Sequence, residues 1–180
     1  MDTSTVFKGT SAMIQNDLIE SIHFTMLKAI RTELADTNFI AVQFDEATDI
    51  SRKAQLSCIL RYVNKNGESN ERFFKFCDVI SNDQSANGIS KIILNIIDEL
   101  DIGAKLVAQV YDGAPVMSGQ INGVQAQIKS IYKQALYIHC NAHILNLVLS
   151  KSIQTIKDTK QFFTTMSSLA AFFFDIIKTG

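Results

Sequence analysis

The chain has 180 residues, 47% of them apolar and 19% charged, with 17 Lys+Arg against 18 Asp+Glu. This length can bury a sizeable core, and the composition excludes a disordered tail. The near-neutral balance argues against a histone-like binder, whose affinity comes from clustered positive charge, and leaves room for an active site built on carboxylates.

Three cysteines and one proline point to a reducing compartment without a disulfide framework or a flexible linker. No apolar run approaches the ~20 residues of a membrane span. Met1–Thr5 carries no basic-then-apolar leader pattern. The opening ten residues lack periodicity and are expected to be frayed. Residues 11–35 read as a helix, with Ile14, Leu18, Ile22, Met26, Ala29, Ile30 and Leu34 recurring at helical spacing.

Asn38 to Asp45 is a short, nearly continuous apolar run, predicted as a strand buried on both faces and ending at the acidic cluster Asp45-Glu46-Ala47-Thr48-Asp49. Residues 55–63 alternate, with Leu56, Cys58, Leu60 and Tyr62 on one side. Residues 71–80 also alternate, with Phe73, Lys75, Cys77 and Val79 opposite Phe74, Phe76 and Asp78. Asn66-Gly67 between them is a hairpin signal, since both residues tolerate positive φ.

Residues 84–101 form the clearest helix, through Ile89, Ile92, Ile93, Ile96, Ile97 and Leu100, with Gly103 as its expected stop. Leu106–Tyr111 reads as a second buried strand, and it too ends on an acid, Asp112. One helix is predicted next, with Met117, Ile121, Val124, Ile128 and Ile131 on one face. A short strand follows at 135–139. A long helix from about Asn141 is expected to turn Leu145, Val148, Leu149, Ile153 and Ile156 inward. The tail from Phe162 to Ile177 is helical and very apolar, with Phe162, Phe163, Leu169, Phe172, Phe173 and Phe174.

A leading helix followed by β-β-β-α-β-α-β-α predicts an α/β fold, a mixed sheet with an antiparallel hairpin at one edge and a parallel section at the other. If the strands ending at Asp45 and Asp112 are parallel neighbours, both carboxylates emerge at the sheet edge where α/β folds place ligands. Two close carboxylates repel unless a cation lies between them, and Mg²⁺ or Mn²⁺ is the usual partner in phosphoryl chemistry. Taken singly, either acid reads as an ordinary strand-end residue; only the two together, closing the two most apolar strands, balance that reading against a site.

Three ordered motifs carry a resemblance. Phe44-Asp45-Glu46-Ala47-Thr48-Asp49-Ile50-Ser51 resembles the first catalytic-Asp motif of hAT-superfamily DNA transposases, in the DUF4371 group of zinc finger MYM-type 1-like proteins. Tyr111-Asp112-Gly113-Ala114 with Met117-Ser118-Gly119 resembles the second. His139-Cys140-Asn141-Ala142-His143 with Leu145-Asn146-Leu147 resembles the CxxH segment. The resemblance spans about residues 11–177.

It implies a ribonuclease H-like fold, DNA as substrate, a nuclear location, and metal-assisted hydrolysis and strand transfer with Mg²⁺ or Mn²⁺. Asp45 and Asp112 would be catalytic metal ligands and His143 an active-site neighbour. Residues 11–157 would form the core with its leading helix, and 158–180 the start of a helical insertion. The family's third acid lies beyond that insertion, so the expectation is a truncated core inactive by itself. Pro115 and Val116 depart from the family pattern, which has Ala or Ser and then Asn there; proline is tolerated in a first helical turn.

The alternative expectation is a domesticated module that binds protein or DNA without catalysis, with a partner or a second copy held through the Phe-rich C-terminal helix. Smaller signals read more plainly. Cys140 and His143 lack the four ligands of a structural zinc site. Asp49 reads as a turn residue. Gly119–Gly123 lacks the Lys-Ser/Thr of a phosphate loop. Lys129, Lys133 and Lys151 read as a solvated face, with phosphate contact as the alternative.

Overall fold

The computed structural model describes residues 11–51, 53–79 and 83–179, with side chains described through Phe172. The expectation of frayed residues 1–10 lies outside these, as does the end of the third strand at Ile80. By packing, the chain divides into two compact units, Met1–Ile138 and His139–Gly180.

The first unit opens with α1 (Ala12–Ala35), started by Ser11, whose Oγ accepts the Ile14 N–H at 3.3 Å. Then come β1 (Ile40–Thr48), β2 (Ala54–Val63) and β3 (Ser69–Asp78), α2 (Ala86–Glu99), β4 (Leu106–Tyr111), the short α3 (Pro115–Ser118), α4 (Val124–Ile131) and β5 (Leu136–His139). The sheet order is β3-β2-β1-β4-β5. β1 pairs antiparallel with β2 and parallel with β4, and β2 pairs antiparallel with β3. This is the mixed sheet expected from the element order, and it agrees with the ribonuclease H-like fold that the resemblance implies.

One face of the sheet makes the core. Val42 and Phe44 of β1, Leu56, Cys58, Leu60 and Tyr62 of β2, and Leu106 and Tyr111 of β4 are buried there. They form one cluster with Ile89, Ile93, Ile96 and Ile97 of α2, Val124 and Ile128 of α4, and Ile30 and Leu34 of α1. The isoleucine stripe of α2 thus packs where its spacing predicted. Each such fully buried side chain contributes about 1.5–3 kcal/mol of transfer free energy.

α1 reaches the core only through its C-terminal end. Leu18, Ile22 and Met26 of the predicted stripe stay exposed. That end is fastened by polar contacts. The Arg72 guanidinium donates to both Glu33 carboxylate oxygens at 3.0 and 3.2 Å, Tyr62 donates its hydroxyl to the same carboxylate, and Lys105 Nζ caps the Leu34 and Ala35 carbonyls.

Several sequence expectations are corrected. β1 is not buried on both faces, and it does not stop at Asp45. It alternates buried and half-buried residues up to Phe44, then continues to Thr48 because its ladder with β2 runs on to Thr48↔Ala54. The turn beyond is closed by Asp49, whose Oδ1 accepts the Lys53 N–H at 2.7 Å, as its reading as a turn residue anticipated.

In β3 the strict alternation fails. The register passes from Cys58↔Lys75 to Ile59↔Phe73, so Phe74 is an extra residue, a bulge. Phe74 points into the core, while Phe73 and Phe76, expected on opposite sides, are both exposed with ring centroids 4.8 Å apart.

The β2–β3 hairpin forms as expected, but only Gly67 takes positive φ, +82°. The Asn64 side-chain oxygen accepts the Asn66 and Glu68 N–H groups at 2.9 and 3.0 Å and organises the turn instead. α2 ends at Glu99, before Gly103, and the chain turns at Asp101, a non-glycine residue at φ +51°. There the Ile102 N–H reaches back to the Ile97 carbonyl at 3.1 Å, a Schellman-type closure.

The single helix predicted after Gly113 is two. A Cβ on Gly123 would lie 2.5 Å from the Gly119 backbone, so the chain doubles back tightly and breaks the helix between Ser118 and Val124. Met117, Val124 and Ile128 are buried, but Ile121 and Ile131 are exposed.

The second unit is α5 (Asn141–Thr155) and α6 (Lys157–Thr179), joined at Ile156 in extended conformation. The inward stripe expected of α5 is not found: no α5 residue is buried, and Leu145, Val148, Leu149 and, at the junction, Ile156 are exposed. Phe162, Phe163, Met166, Leu169 and Phe172 of α6 are exposed as well. Phe173 and Phe174 lie beyond the described side chains.

Candidate functional site

The parallel pairing of β1 with β4 runs from Ile40↔Leu106 to Gln43↔Val110. Two residues further along each chain stand Asp45 and Asp112, so the register carries both acids to one level at the C-terminal edge of the central strand pair. Phe44 and Tyr111, immediately before them, anchor the pair from the core side with ring centroids 6.2 Å apart. Strand alternation puts Asp45 on the opposite face, the side of Gln43 and Ser57. Continued one residue past β4, the same alternation gives Asp112 the face of Val110. The two acids are therefore brought together by topology, as the sequence anticipated.

Their surroundings differ. Asp45 is exposed within β1, where its backbone carbonyl accepts the Ser57 hydroxyl at 3.0 Å. Asp112 is half-buried at the end of β4 and more firmly held. Its Oδ1 accepts the Ala114 N–H at 3.1 Å, an Asx turn, and its carbonyl accepts the Tyr137 hydroxyl at 3.1 Å. Ser118 donates to the Gly113 and Ala114 carbonyls at 3.1 and 3.0 Å and ties the following helix to the same turn. Tyr137 stacks on Tyr111 at 6.1 Å. Burial, and then the nearby Asp112 charge, push its phenol above the usual range.

Tyr137 is the supporting residue that sequence reasoning missed. It was legible only as part of a short strand. Its position follows from β5 lying beside β4, an adjacency that the alternating α and β units permit and do not specify.

Gln109, one turn of the pleat before Tyr111, is fully buried. Its Nε2 donates to the Gln125 and Ala135 carbonyls, each at 3.1 Å, and so links β4 to α4 and to the approach to β5. The Gln125 amide in turn closes the Gly119 turn by donating to its carbonyl at 3.1 Å.

His143 belongs to the second unit, in the first turn of α5. It is half-buried, with its ring 5.4 Å from His139. Cys140 is a free, half-buried thiol at the N-cap position and makes no capping bond. The His139 Nε2 is enclosed and unpartnered.

Two hard carboxylates suit a divalent cation that keeps much of its water. Asp112 retains Oδ2 for such an ion while the Ala114 N–H occupies Oδ1. Among the described residues no group of three or more His, Cys, Asp or Glu side chains is placed to hold a metal. The donor set thus fits one weakly held ion better than the pair of ions used in two-metal phosphoryl transfer. Among the described residues, no helix is long and apolar enough to cross a membrane.

The profile of the DUF4371 family, described as the ZMYM1/FAM200, RNase-like domain, matches residues 2–123. The match covers more than half of the chain and contains both aspartates, the whole β1–β4 arrangement and the Gly119–Gly123 turn. The chain therefore belongs to the DUF4371 family of RNase-like domains.

Proposed function

We propose that this RNase-like domain is the core of a transposon-derived, hAT-type DNA-cleaving protein, catalytically incomplete by itself. The observation that supports the reading is the common level of Asp45 and Asp112 at the C-terminal edge of adjacent parallel strands, the geometry that metal-dependent phosphoryl transfer on DNA needs. In this reading Asp45 and Asp112 hold Mg²⁺ or Mn²⁺. The ion, when bound, supplies Lewis acidity at a phosphoryl oxygen. The Ala114 N–H keeps Asp112 oriented, and Tyr137 fixes the backbone of the turn. The resemblance adds His143, in the second unit, as a phosphate or strand contact. A nuclear location follows from the same reading.

Two carboxylates alone would not position the two ions that stabilise the attacking and the leaving oxygen, which is the reason for the incompleteness. The test is nicking of supercoiled plasmid by the purified chain in Mn²⁺. The expected result is no cleavage above that of Asp45→Asn. Robust Mn²⁺-dependent nicking that Asp45→Asn abolishes would overturn the claim of inactivity, and nicking indifferent to Asp45 and Asp112 would overturn the site.

A second reading is an interaction module without catalysis, holding a protein partner or a second copy. The exposed phenylalanines of α6 favour it, since large apolar patches mark association surfaces. Capture of a partner, or self-association in sedimentation, that is lost in Phe162→Ser/Phe172→Ser and retained in Asp45→Asn would establish this reading over the first.

A further inference from the structure

Beside the Asp112 turn lies a cavity of about 630 Å³, lined by Ser118, Gln120, Gln125, Lys129, Leu136 and Tyr137 among others. Two of these side chains tie it to the acid: Tyr137 bonds the Asp112 carbonyl, and Ser118 bonds the carbonyl of the next residue. The size suits one nucleotide of a strand, at the scale of small-molecule pockets generally.

The lining is mixed in a way that suits such an occupant. Leu136 and the Tyr137 ring give an apolar, partly aromatic wall. The Ser118 and Gln125 donors are already committed to backbone carbonyls, so they offer acceptors only. Lys129 is the one charged residue in the lining, and no salt bridge satisfies it among the described residues.

We infer that this cavity is a strand-holding subsite, taking one nucleotide next to the phosphate at Asp45 and Asp112, with its own phosphate against Lys129 and its base along Tyr137 and Leu136. The inference rests on the reading of the two acids as a DNA site and adds where the strand runs from them. A phosphate-tracking cation combined with an aromatic wall is the general means of holding single-stranded nucleic acid. A single cation contributes a several-fold share of the affinity and fixes the register of the strand.

The probe is a fluorescein-labelled 20-nucleotide single strand of mixed sequence, followed by anisotropy across a salt series. The variants are Lys129→Ala, Ala126→Phe to fill the cavity without changing charge, and Lys133→Ala as an exposed lysine outside the lining. Far-ultraviolet circular dichroism checks that each is folded.

Loss of one phosphate contact reduces the slope of log K against log salt by about 0.7 for a single strand. Lys129→Ala is expected to show that reduction with affinity several-fold weaker. Ala126→Phe is expected to weaken binding with the slope unchanged, and Lys133→Ala to match the wild type. If the wild type binds and Lys129→Ala matches Lys133→Ala, or Ala126→Phe binds normally, the subsite is overturned while the reading of the acids stands. If the wild type does not bind the strand at all, both fall.

Discussion

Gln109 offers the sharpest test of how the acid-bearing strand is held. It is fully buried, and its amide satisfies two carbonyls, the buried one of Ala135 and the half-buried one of Gln125. Its own Oε1 has no partner. Gln109→Met keeps the length of the side chain and removes its polar head.

Three effects then compete. The Ala135 carbonyl loses its donor in a site closed to water, at about 1–3 kcal/mol. The Gln125 carbonyl loses a donor where solvent replaces part of it, at about 0.5–1 kcal/mol. Against these, methionine no longer buries the orphaned Oε1, which recovers about 1–2 kcal/mol. At mid-range values the two losses outweigh the one gain, and the net is roughly 1–2 kcal/mol of destabilisation.

With a urea m-value of about 2 kcal/mol/M, the midpoint falls by about 0.5–1 M. All four tyrosines, Tyr62, Tyr111, Tyr132 and Tyr137, lie in the first unit, and the chain has no tryptophan. Intrinsic tyrosine fluorescence therefore follows the α/β unit alone, and the helical pair does not contaminate the transition. An unchanged or higher midpoint for Gln109→Met would refute the claim that these two bonds secure β4.

The bulge in β3 predicts a contrast between neighbours: Phe74→Ala removes a buried ring and is expected to cost about 3–4 kcal/mol, whereas Phe73→Ala at the exposed face changes the urea midpoint by less than about a quarter as much. Equal effects would mean that the bulge is misplaced. Glu33 supplies an acid-sensitive fastening. The Arg72 and Tyr62 hydrogen bonds hold its carboxyl below the ordinary carboxylate range, so its stabilisation is present above the unfolded-state pKa and is lost as pH falls through the lowered folded value. Both partners are more than a third exposed, which limits the pair to about 1 kcal/mol. Glu33→Gln should therefore melt earlier than wild type near pH 7 and converge with it in acid, and a gap that persists or widens in acid would contradict this. Burial pushes the Cys58 thiol up to about 12, so it should resist a thiol reagent in the native protein and react only on unfolding, in contrast to half-buried Cys140. Native-state labelling of Cys58 at the rate of Cys140 would show that the β2 core is open.

The parts of the fold that were legible are those where the side-chain pattern and the backbone obey one rule. β4 is a short apolar run bounded by a turn and an acid, and α2 carries an unbroken isoleucine stripe, so both lie where they were read. β1 was cut short because its last residues, Asp45 to Thr48, are exposed and mostly polar, yet a ladder hydrogen bond with β2 forms whatever side chain is attached. A bulge at Phe74 shifts the parity of every residue after it without any change in composition. The helix after Gly113 carried a continuous apolar period across Ile121, and the break there comes from the close approach of Gly119 and Gly123, which periodicity does not register. α5 has the spacing of an inward face and buries none of it.

The candidate site was legible in half. Two acids following two apolar runs located the sheet edge, because Asp112 follows the end of β4 and the parallel pairing of β1 with β4 ends just before Asp45, although β1 itself continues to Thr48. The supports were not, because Tyr137, Ser118 and Gln109 act through backbone carbonyls, and those contacts depend on which strands become neighbours.

The central claim is that Asp45 and Asp112 form one cation site. The direct measurement is Mn²⁺ binding followed by electron paramagnetic resonance of the free ion, on the wild type, Asp45→Asn, Asp112→Asn and the double variant. A shared site predicts saturable binding near one ion per chain in the wild type. Each single variant should lose as much of it as the double, because two ligands of one ion are not additive. No saturable binding in the wild type, or losses in the two single variants that simply sum to that of the double, would contradict it.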